Sequence, residues 1–173
     1  EHGDRVGRVI ISHNRIDGAA EYGIKASAPV IAMDHNVIRN IGTPVNYAGV
    51  STGVYIYNSY GVDSLTSLGD SIVNTDYTGF NVDSARVARI DSLYVNGTGQ
   101  DSSAGEGVEL GRSRVVQISY SRVFNTGDVG IGAGGPGSVF RSRGNLVRNS
   151  RWDGLFVYHC PASLGPDSVF STR

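Results

Sequence analysis

The sequence carries two carboxylates at a spacing that could bind or cleave a sugar chain. Asp83 and Glu109 each follow a glycine and an apolar residue, in Gly79-Phe80 and Gly107-Val108. If these segments are neighbouring strands, the carboxylates lie diagonally across one ladder step, with Cβ atoms about 8 Å apart. Paired carboxylates in glycoside cleavage are roughly 5 to 9.5 Å apart. Asp83 and Glu109 are therefore candidate catalytic residues, with solvated surface charges as the plainer alternative.

Tyrosine and polar side chains accompany this pair on the same predicted strand face. The positions expected to bind substrate are those of Lys25, Tyr55, Tyr57 and Asn81. Aromatic faces stack on the C–H faces of sugars, whereas carboxylates and amides bind the hydroxyls. Asp76 lies at the edge as a third candidate carboxylate, and the segments 41–52 and 97–106 are long enough to form walls. We therefore expect a trough suited to a polysaccharide.

A second group of residues has the chemistry of metal ligands. His13 and His35 occupy the same repeat position, and the column is expected to continue to Asp70. Two imidazoles about 5 Å apart could share a metal ion with that carboxylate. Polar residues at an exposed strand edge are the simpler alternative, and no cofactor is predicted. Cys160, as the single cysteine, excludes an internal disulfide and a multi-cysteine metal site.

A two-part repeat defines these positions. Its first part begins with Asn or Ser and has an apolar residue two positions later: NRIDG from 14, NVIRN from 36, SIVNT from 71, SLYVN from 92, SRVFN from 121, NLVRN from 145 and SVFST from 168. Its second part is a glycine followed by an apolar residue. The starts are 22, 35, 21, 29, 24 and 23 residues apart. A period in the low twenties, with many β-branched residues and no helical spacing, predicts coils of three short strands.

This repeat resembles that of the parallel β-helix proteins, a group that includes pectate lyases, polygalacturonases, alginate epimerases, phage tailspikes and bacterial surface proteins. The resemblance covers nearly the whole chain. It implies an all-β fold, a right-handed parallel β-helix of about six coils, as a single domain over residues 1–173. Neither end reads as a polar cap, so we expect a segment of a longer β-helix, or ends that are covered by partners.

The alignment also predicts which residues stack in columns. An inward column is expected at Ile16, Ile38, Val73, Val123, Val147 and Phe170, with Tyr94 as a misfit. A turn column that resembles the family's asparagine ladder is expected at Gly18, Asn40, Thr75, Asn96, Asn125, Asn149 and Thr172. An outward apolar stripe, and hence a partner interface, is expected at Val37, Ile72, Leu93, Val95, Phe124 and Leu146. A shift of one residue would move this stripe into the core.

Motifs and charge narrow the functional classes. The segment Asn74-Thr75-Asp76 before Gly79-Phe80 resembles a polygalacturonase signature, but the paired aspartates, Gly-His-Gly and Arg-Ile-Lys of that family are absent. The 15 basic and 16 acidic residues are scattered, so neither nucleic acid nor an anionic membrane is an expected partner. No apolar run is long enough to span a bilayer. The sequence favours a non-catalytic extracellular or bacterial surface β-helix with a structural, assembly or glycan-contacting role. A polysaccharide lyase, hydrolase or epimerase is the alternative.

Overall fold

The computed structural model describes residues 7–42, 51–57, 61–99 and 105–170. These residues form a parallel β-solenoid of about six turns, in which each turn contributes one strand to each of three sheets. Nowhere in these ranges does the chain form a helix of the length and apolarity that crossing a bilayer requires. The expected all-β solenoid architecture is confirmed.

Each strand pairs in parallel with the strands three places earlier and later in the chain. The first sheet contains β1 (Arg8–Ser12), β4 (Val30–Asp34), β7 (Ser64–Leu68), β10 (Val87–Asp91), β13 (Val115–Ser119), β16 (Val139–Arg143) and β19 (Ala162–Leu164). The second contains β2 (Arg15–Asp17), β5 (Val37–Ile41), β8 (Ser71–Thr75), β11 (Tyr94–Thr98), β14 (Arg122–Thr126), β17 (Leu146–Ser150) and β20 (Ser168–Phe170). The third contains β3 (Tyr22–Ala26), β6 (Thr52–Ile56), β9 (Phe80–Val82), β12 (Val108–Gly111), β15 (Ile131–Gly134) and β18 (Leu155–Tyr158).

The inward column of the second sheet differs from the predicted one in three coils. The residues that pair through this column are Ile16, Ile38, Ile72, Val95, Val123, Val147 and Val169. Val73, Tyr94 and Phe170 face outward instead. The prediction aligned each coil on an Asn or Ser, but three coils begin the repeat with Asp70, Leu93 and Asp167.

The expected apolar stripe on this sheet is wrong for the same reason. Ile72, Leu93 and Val95 are at most 1% exposed and belong to the core. Val37, Phe124 and Leu146 do lie at the outer surface, where each is half-buried. Because successive strand residues point to opposite faces, a register error of one position exchanges inside for outside.

The asparagine ladder is present, but it lies on the outer surface and its residues have left-handed backbone conformations. Asn40, Asn74, Asn125 and Asn149 have φ between 53° and 59°. Asn is one of the few non-glycine residues that tolerates this conformation. Thr75, which was expected in the ladder, lies in the core, and Asn74 takes the turn position beside it. Side-chain amides bond from one coil to the next, as from Asn149 Nδ2 to Asn125 Oδ1 at 2.9 Å.

The recurring glycine marks the corner that leads into the third sheet. A Cβ atom on Gly79 would lie 2.6 Å from the carbonyl oxygen of Gly107 and 2.6 Å from a methyl group of Val95. Gly53 makes the same close approach to the carbonyl oxygen of Gly79. Only glycine fits here, because the backbone of one coil lies directly on that of the next. This shared corner fixes the register of the third sheet.

Candidate functional site

The outer face of the third sheet has the register that the glycine alignment predicted. One outward column consists of Lys25, Tyr55, Asn81, Glu109, Gly132 and Phe156. The Gly111–Gly134–Tyr158 column lies two residues further along these strands, and the backbone of Asp83 lies against Gly111. The predicted trough residues therefore do share one surface. The full walls expected at 41–52 and 97–106 fall partly outside the described residues.

A pair of carboxyl groups lies in the middle of this face. Glu106 donates a hydrogen bond to Glu109, and both side chains are half-buried. Burial, followed by the negative charges of Glu109 and Asp128, raises the pKa of Glu106 to about 8. Burial also raises the pKa of Glu109, although the hydrogen bond from Glu106 opposes this shift. Below about pH 8 Glu106 therefore carries a proton, because two close carboxylates do not both ionise readily.

Neighbouring polar groups orient the pair. The side-chain amide of Asn81 donates a hydrogen bond to the Glu109 carboxylate. Asp83, expected to be the second catalytic carboxylate, instead forms an ion pair with Arg112. Its negative charge still contributes to the raised pKa of Glu109. Glu109 thus pairs with Glu106, and Asp83 is held by a guanidinium group.

Aromatic rings form one end of the face. The rings of Tyr22 and Tyr55 stack with centroids 5.5 Å apart, and those of Tyr55 and Tyr57 stack at 5.8 Å. The Lys25 ammonium lies 4.2 Å from the centroid of Tyr22 and 5.7 Å from that of Tyr55. These contacts are cation–π interactions, and they hold the lysine side chain over the rings. The predicted binding residues Lys25, Tyr55 and Tyr57 therefore form one cluster.

A second aromatic pair forms the other end. Phe156 and Tyr158 stack with centroids 5.6 Å apart and are 45% and 38% exposed. Between the two aromatic ends, Gly111, Gly132 and Gly134 lie beside the polar side chains of Asn81 and Glu109. The atoms nearest to a Cβ position on Gly132 belong to Glu106 and Val129, with Glu106 Oε1 at 3.6 Å. The result is a low polar floor between two aromatic ends.

The phenol groups of Tyr55, Tyr77 and Tyr158 stay protonated at neutral pH. Burial is the main cause of the raised pKa of Tyr55, and the charges of Asp83 and Glu109 add to it. Burial and the charges of Glu109 and Glu106 raise the pKa values of Tyr77 and Tyr158. Protonated phenols both donate and accept hydrogen bonds. Together with the carboxyl pair they can bind sugar hydroxyls.

Asp76 was expected at the edge of this face, and it lies against Gly42 at the corner before the third sheet. Glu106 was missed because strict alternation along a strand places it on the opposite face from Glu109. The corner at Gly107 breaks that alternation, and both carboxyl groups emerge on the same side. The sequence feature that could have identified Glu106 is its position, as a charged residue directly before the recurring glycine Gly107.

The two histidines stack as predicted, but their acidic neighbour is another residue. The ring centroids of His13 and His35 are 5.6 Å apart. Asp70, the expected third ligand, is fully buried and bonds to Asn36 and Ser67 on the inner side. The carboxylate beside the imidazoles belongs to Asp34. The error comes from the one-residue shift in the third coil, where Gly69 follows His35 in the column.

No protein-family model, curated protein or solved structure matches the chain. The geometry alone defines the class, a parallel β-solenoid of about six turns.

Proposed function

We propose that this chain is an extracellular or cell-surface β-helix of the pectate lyase-like kind, with right-handed coils, that binds an extended glycan on its third sheet. The observation that carries the proposal is the spacing of the two aromatic ends. Tyr55 on β6 and Phe156 on β18 are four ladder steps apart, which is about 19 Å at about 4.8 Å per step. A glycan of several sugar units would stack on both ends and cross the polar floor between them.

The charges on the floor favour a neutral glycan. Asp83 is balanced by Arg112, whereas the negative charges of Glu109 and Asp128 both act on Glu106. A polyuronate would place its carboxylates near these groups and be repelled. A neutral chain meets only hydrogen-bonding groups there. The proposal is thus specific to uncharged, hydroxyl-rich polysaccharides.

Binding to neutral and acidic oligosaccharides, measured by calorimetry, tests this proposal. Tyr55→Ala and Phe156→Ala should each weaken binding of a neutral oligosaccharide by about tenfold, because each removes a stacking surface. Phe124→Ala is the matched control, since Phe124 forms an aromatic pair with Tyr94 on the second sheet. Equal affinity in all three variants, or no binding by the wild type, would reject glycan binding on this face.

Catalysis on a polysaccharide is the second candidate, and the protonated carboxyl of Glu106 beside Glu109 favours it. A carboxyl that keeps its proton near neutral pH can act as a general acid. However, the two glutamates contact one another directly, whereas acid and nucleophile or base in glycoside cleavage are roughly 5 to 9.5 Å apart. A hydrolase would therefore need to combine one glutamate with a more distant carboxylate such as Asp83. For this reason binding ranks above catalysis.

Product analysis separates these two functions. Neutral and acidic polysaccharides are incubated with the wild type, Glu106→Gln and Asp83→Asn, with Asp63→Asn, directly before β7, as a control. Turnover that disappears in Glu106→Gln but persists in Asp63→Asn would establish an enzyme. Binding without turnover supports the non-catalytic function.

Assembly through the second sheet is less well supported. Val37, Phe124 and Leu146 remain outward, but they lie on β5, β14 and β17 and do not form the continuous stripe that the sequence suggested. The proposed role therefore rests on the third sheet.

A further inference from the structure

Two histidines and one aspartate converge on the outer surface where the first sheet turns into the second. His13 follows β1, while Asp34 ends β4 and is followed directly by His35. His35 Nδ1 lies 2.5 Å from Asp34 Oδ1, and His13 Nδ1 lies 3.9 Å from Asp34 Oδ2. One donor atom from each residue lies within 4.8 Å of the other two. The three side chains therefore surround a single point.

The backbone holds these residues in place. His13 and His35 both have left-handed backbone conformations, with φ of 57° and 50°. The amide of His13 donates to the carbonyl of Asp34 at 2.8 Å, which ties the first coil to the second. Directly after the histidines, Asn14 donates from its backbone and its side chain to Asn36 Oδ1. Bringing the donor atoms closer thus requires side-chain rotation alone.

Room for the rings comes from the third coil. The residue that follows His35 in the column is Gly69, and a Cβ atom there would lie 2.9 Å from His35 Nε2. The Nε2 edge of the His35 imidazole therefore packs against Gly69. Its Nδ1 atom faces Asp34 and His13.

We propose that His13, Asp34 and His35 bind one divalent transition-metal ion, with Zn²⁺ as the representative case. Metal–ligand bonds for Zn²⁺ are about 2.0 to 2.2 Å for imidazole nitrogen and carboxylate oxygen, so two ligands of one ion lie at most about 4.4 Å apart. Small side-chain rotations bring donor atoms that lie within 4.8 Å of one another to that separation. Imidazole ligands select zinc, copper and nickel over calcium and magnesium, which prefer oxygen. The side chains of His13 and His35 are 72% and 58% exposed, so water completes the coordination.

An ion pair between histidine and aspartate is the alternative, and it accounts for less of the geometry. One protonated imidazole is sufficient to pair with Asp34. Protonating both stacked rings would place like charges about 5.6 Å apart. A metal ion instead uses both rings in their neutral form and the carboxylate together.

Titration with Zn²⁺ in a calorimeter, followed by Cu²⁺ binding monitored by electron paramagnetic resonance, tests the site. The protein carries His2→Asn throughout, so that a histidine outside the described residues contributes no metal ligand. The test variants are His13→Asn and His35→Asn, since Asn tolerates the left-handed conformation. His159→Asn is the matched control, because His159 has φ of 50° but lies in the sixth coil.

We expect one Zn²⁺ ion per chain, with affinity reduced by more than about tenfold in each test variant and unchanged in the control. The Cu²⁺ spectrum should show coupling to two nitrogens in the control and to one in each test variant. Asp34→Asn provides a further check that leaves both rings in place, and it should weaken Zn²⁺ binding as well. Equal affinity in the control, His13→Asn and His35→Asn proteins, all with native circular dichroism, would overturn the proposal.

Discussion

Asp70 accepts two hydrogen bonds from Asn36 on a single carboxylate oxygen, one from the backbone amide and one from the side-chain amide, each 2.8 Å long. Its other oxygen accepts the hydroxyl hydrogen of Ser67 at 2.6 Å. Asn36 and Asp70 are both fully buried. Since buried donors are costly without partners, this carboxylate is the acceptor on which the corner between the second and third coils depends.

Replacing Asp70 with alanine should therefore destabilise the fold strongly. Asp70→Ala removes the acceptor for three buried donors, and we expect a loss of about 3 kcal/mol or more in the free energy of unfolding. Asp70→Asn keeps one acceptor oxygen and should cost less. Urea denaturation followed by circular dichroism measures both changes.

Asp63→Ala is the appropriate control, because Asp63 is 62% exposed and pairs with Arg86 at the surface. Its removal should change the free energy of unfolding by no more than about 1 kcal/mol. A similar loss in Asp70→Ala and Asp63→Ala would contradict the structural role of the buried carboxylate.

The glycine at each third-sheet corner should not tolerate a methyl group. In Gly79→Ala the added Cβ would meet the backbone of Gly107, which cannot rotate away as a side chain can. We expect a loss of about 1 to 3 kcal/mol in the free energy of unfolding. In the control Gly7→Ala, the new Cβ has no atom within 4 Å, and the change should stay within about 0.5 kcal/mol. Denaturant midpoints that shift equally in both variants would refute the close-packed corner.

The sequence predicted the third sheet well because its marker is a steric requirement. Glycine followed by an apolar residue occurs at each corner that leads into the third sheet, where the backbones of two coils lie in close contact. The residues two positions after this glycine, from Lys25 to Phe156, were therefore aligned correctly. The second sheet was aligned on polar residue types, and this failed. The buried position two residues before the inward column of the second sheet is occupied by Asn36, Asp70, Leu93 or Ser121 in different coils. An amide, a carboxylate, an apolar group and a hydroxyl can all occupy it, so no single residue type marks it. With the correct register, coils measured at the inward column are 22, 34, 23, 28, 24 and 22 residues long.

The candidate sites were found only in part, for a related reason. Glu106 and Asp34 are brought to their partners by the corner at Gly107 and by the left-handed turn at His35. Alternation along a strand says nothing about side-chain direction at such points. Residues inside strands, such as Tyr55 and Asn81, were placed on the correct face.

The stability of the protein should fall between about pH 4.5 and pH 8 because of Glu106. Its pKa in the folded state is about 8, above the ordinary value of 4.5, so the folded protein keeps a proton that the unfolded chain loses. Stability from this group is complete below about pH 4.5, falls as pH rises and levels off above about pH 8. The slope is at most about 1.4 kcal/mol per pH unit, reduced by partial solvent exposure. Glu106→Gln should remove this slope, since its amide donates to Glu109 at every pH.

Denaturation of the wild type and Glu106→Gln at several pH values between 4 and 9 tests this linkage. The variant should be more stable than the wild type at pH 8 and similar to it at pH 4. Glu21→Gln, at an exposed glutamate beside β3, is the control for the loss of a surface carboxylate. Parallel curves for wild type and Glu106→Gln would show that the carboxyl pair does not hold a proton near neutral pH.

The outer asparagine ladder should depend on backbone conformation more than on its hydrogen bonds. Asn125 has φ of 53°, donates to Asn96 Oδ1 at 2.8 Å and accepts from Asn149 at 2.9 Å. Asn125→Ala should cost about 1 to 2 kcal/mol, because alanine is strained in the left-handed region. Asn125→Gly loses the same exposed hydrogen bonds without this strain and should cost less, as Gly18 in the same column indicates with its φ of 80°. If thermal or urea unfolding shows both variants to be equally destabilised, the side-chain hydrogen bonds and not the conformation select asparagine at this turn.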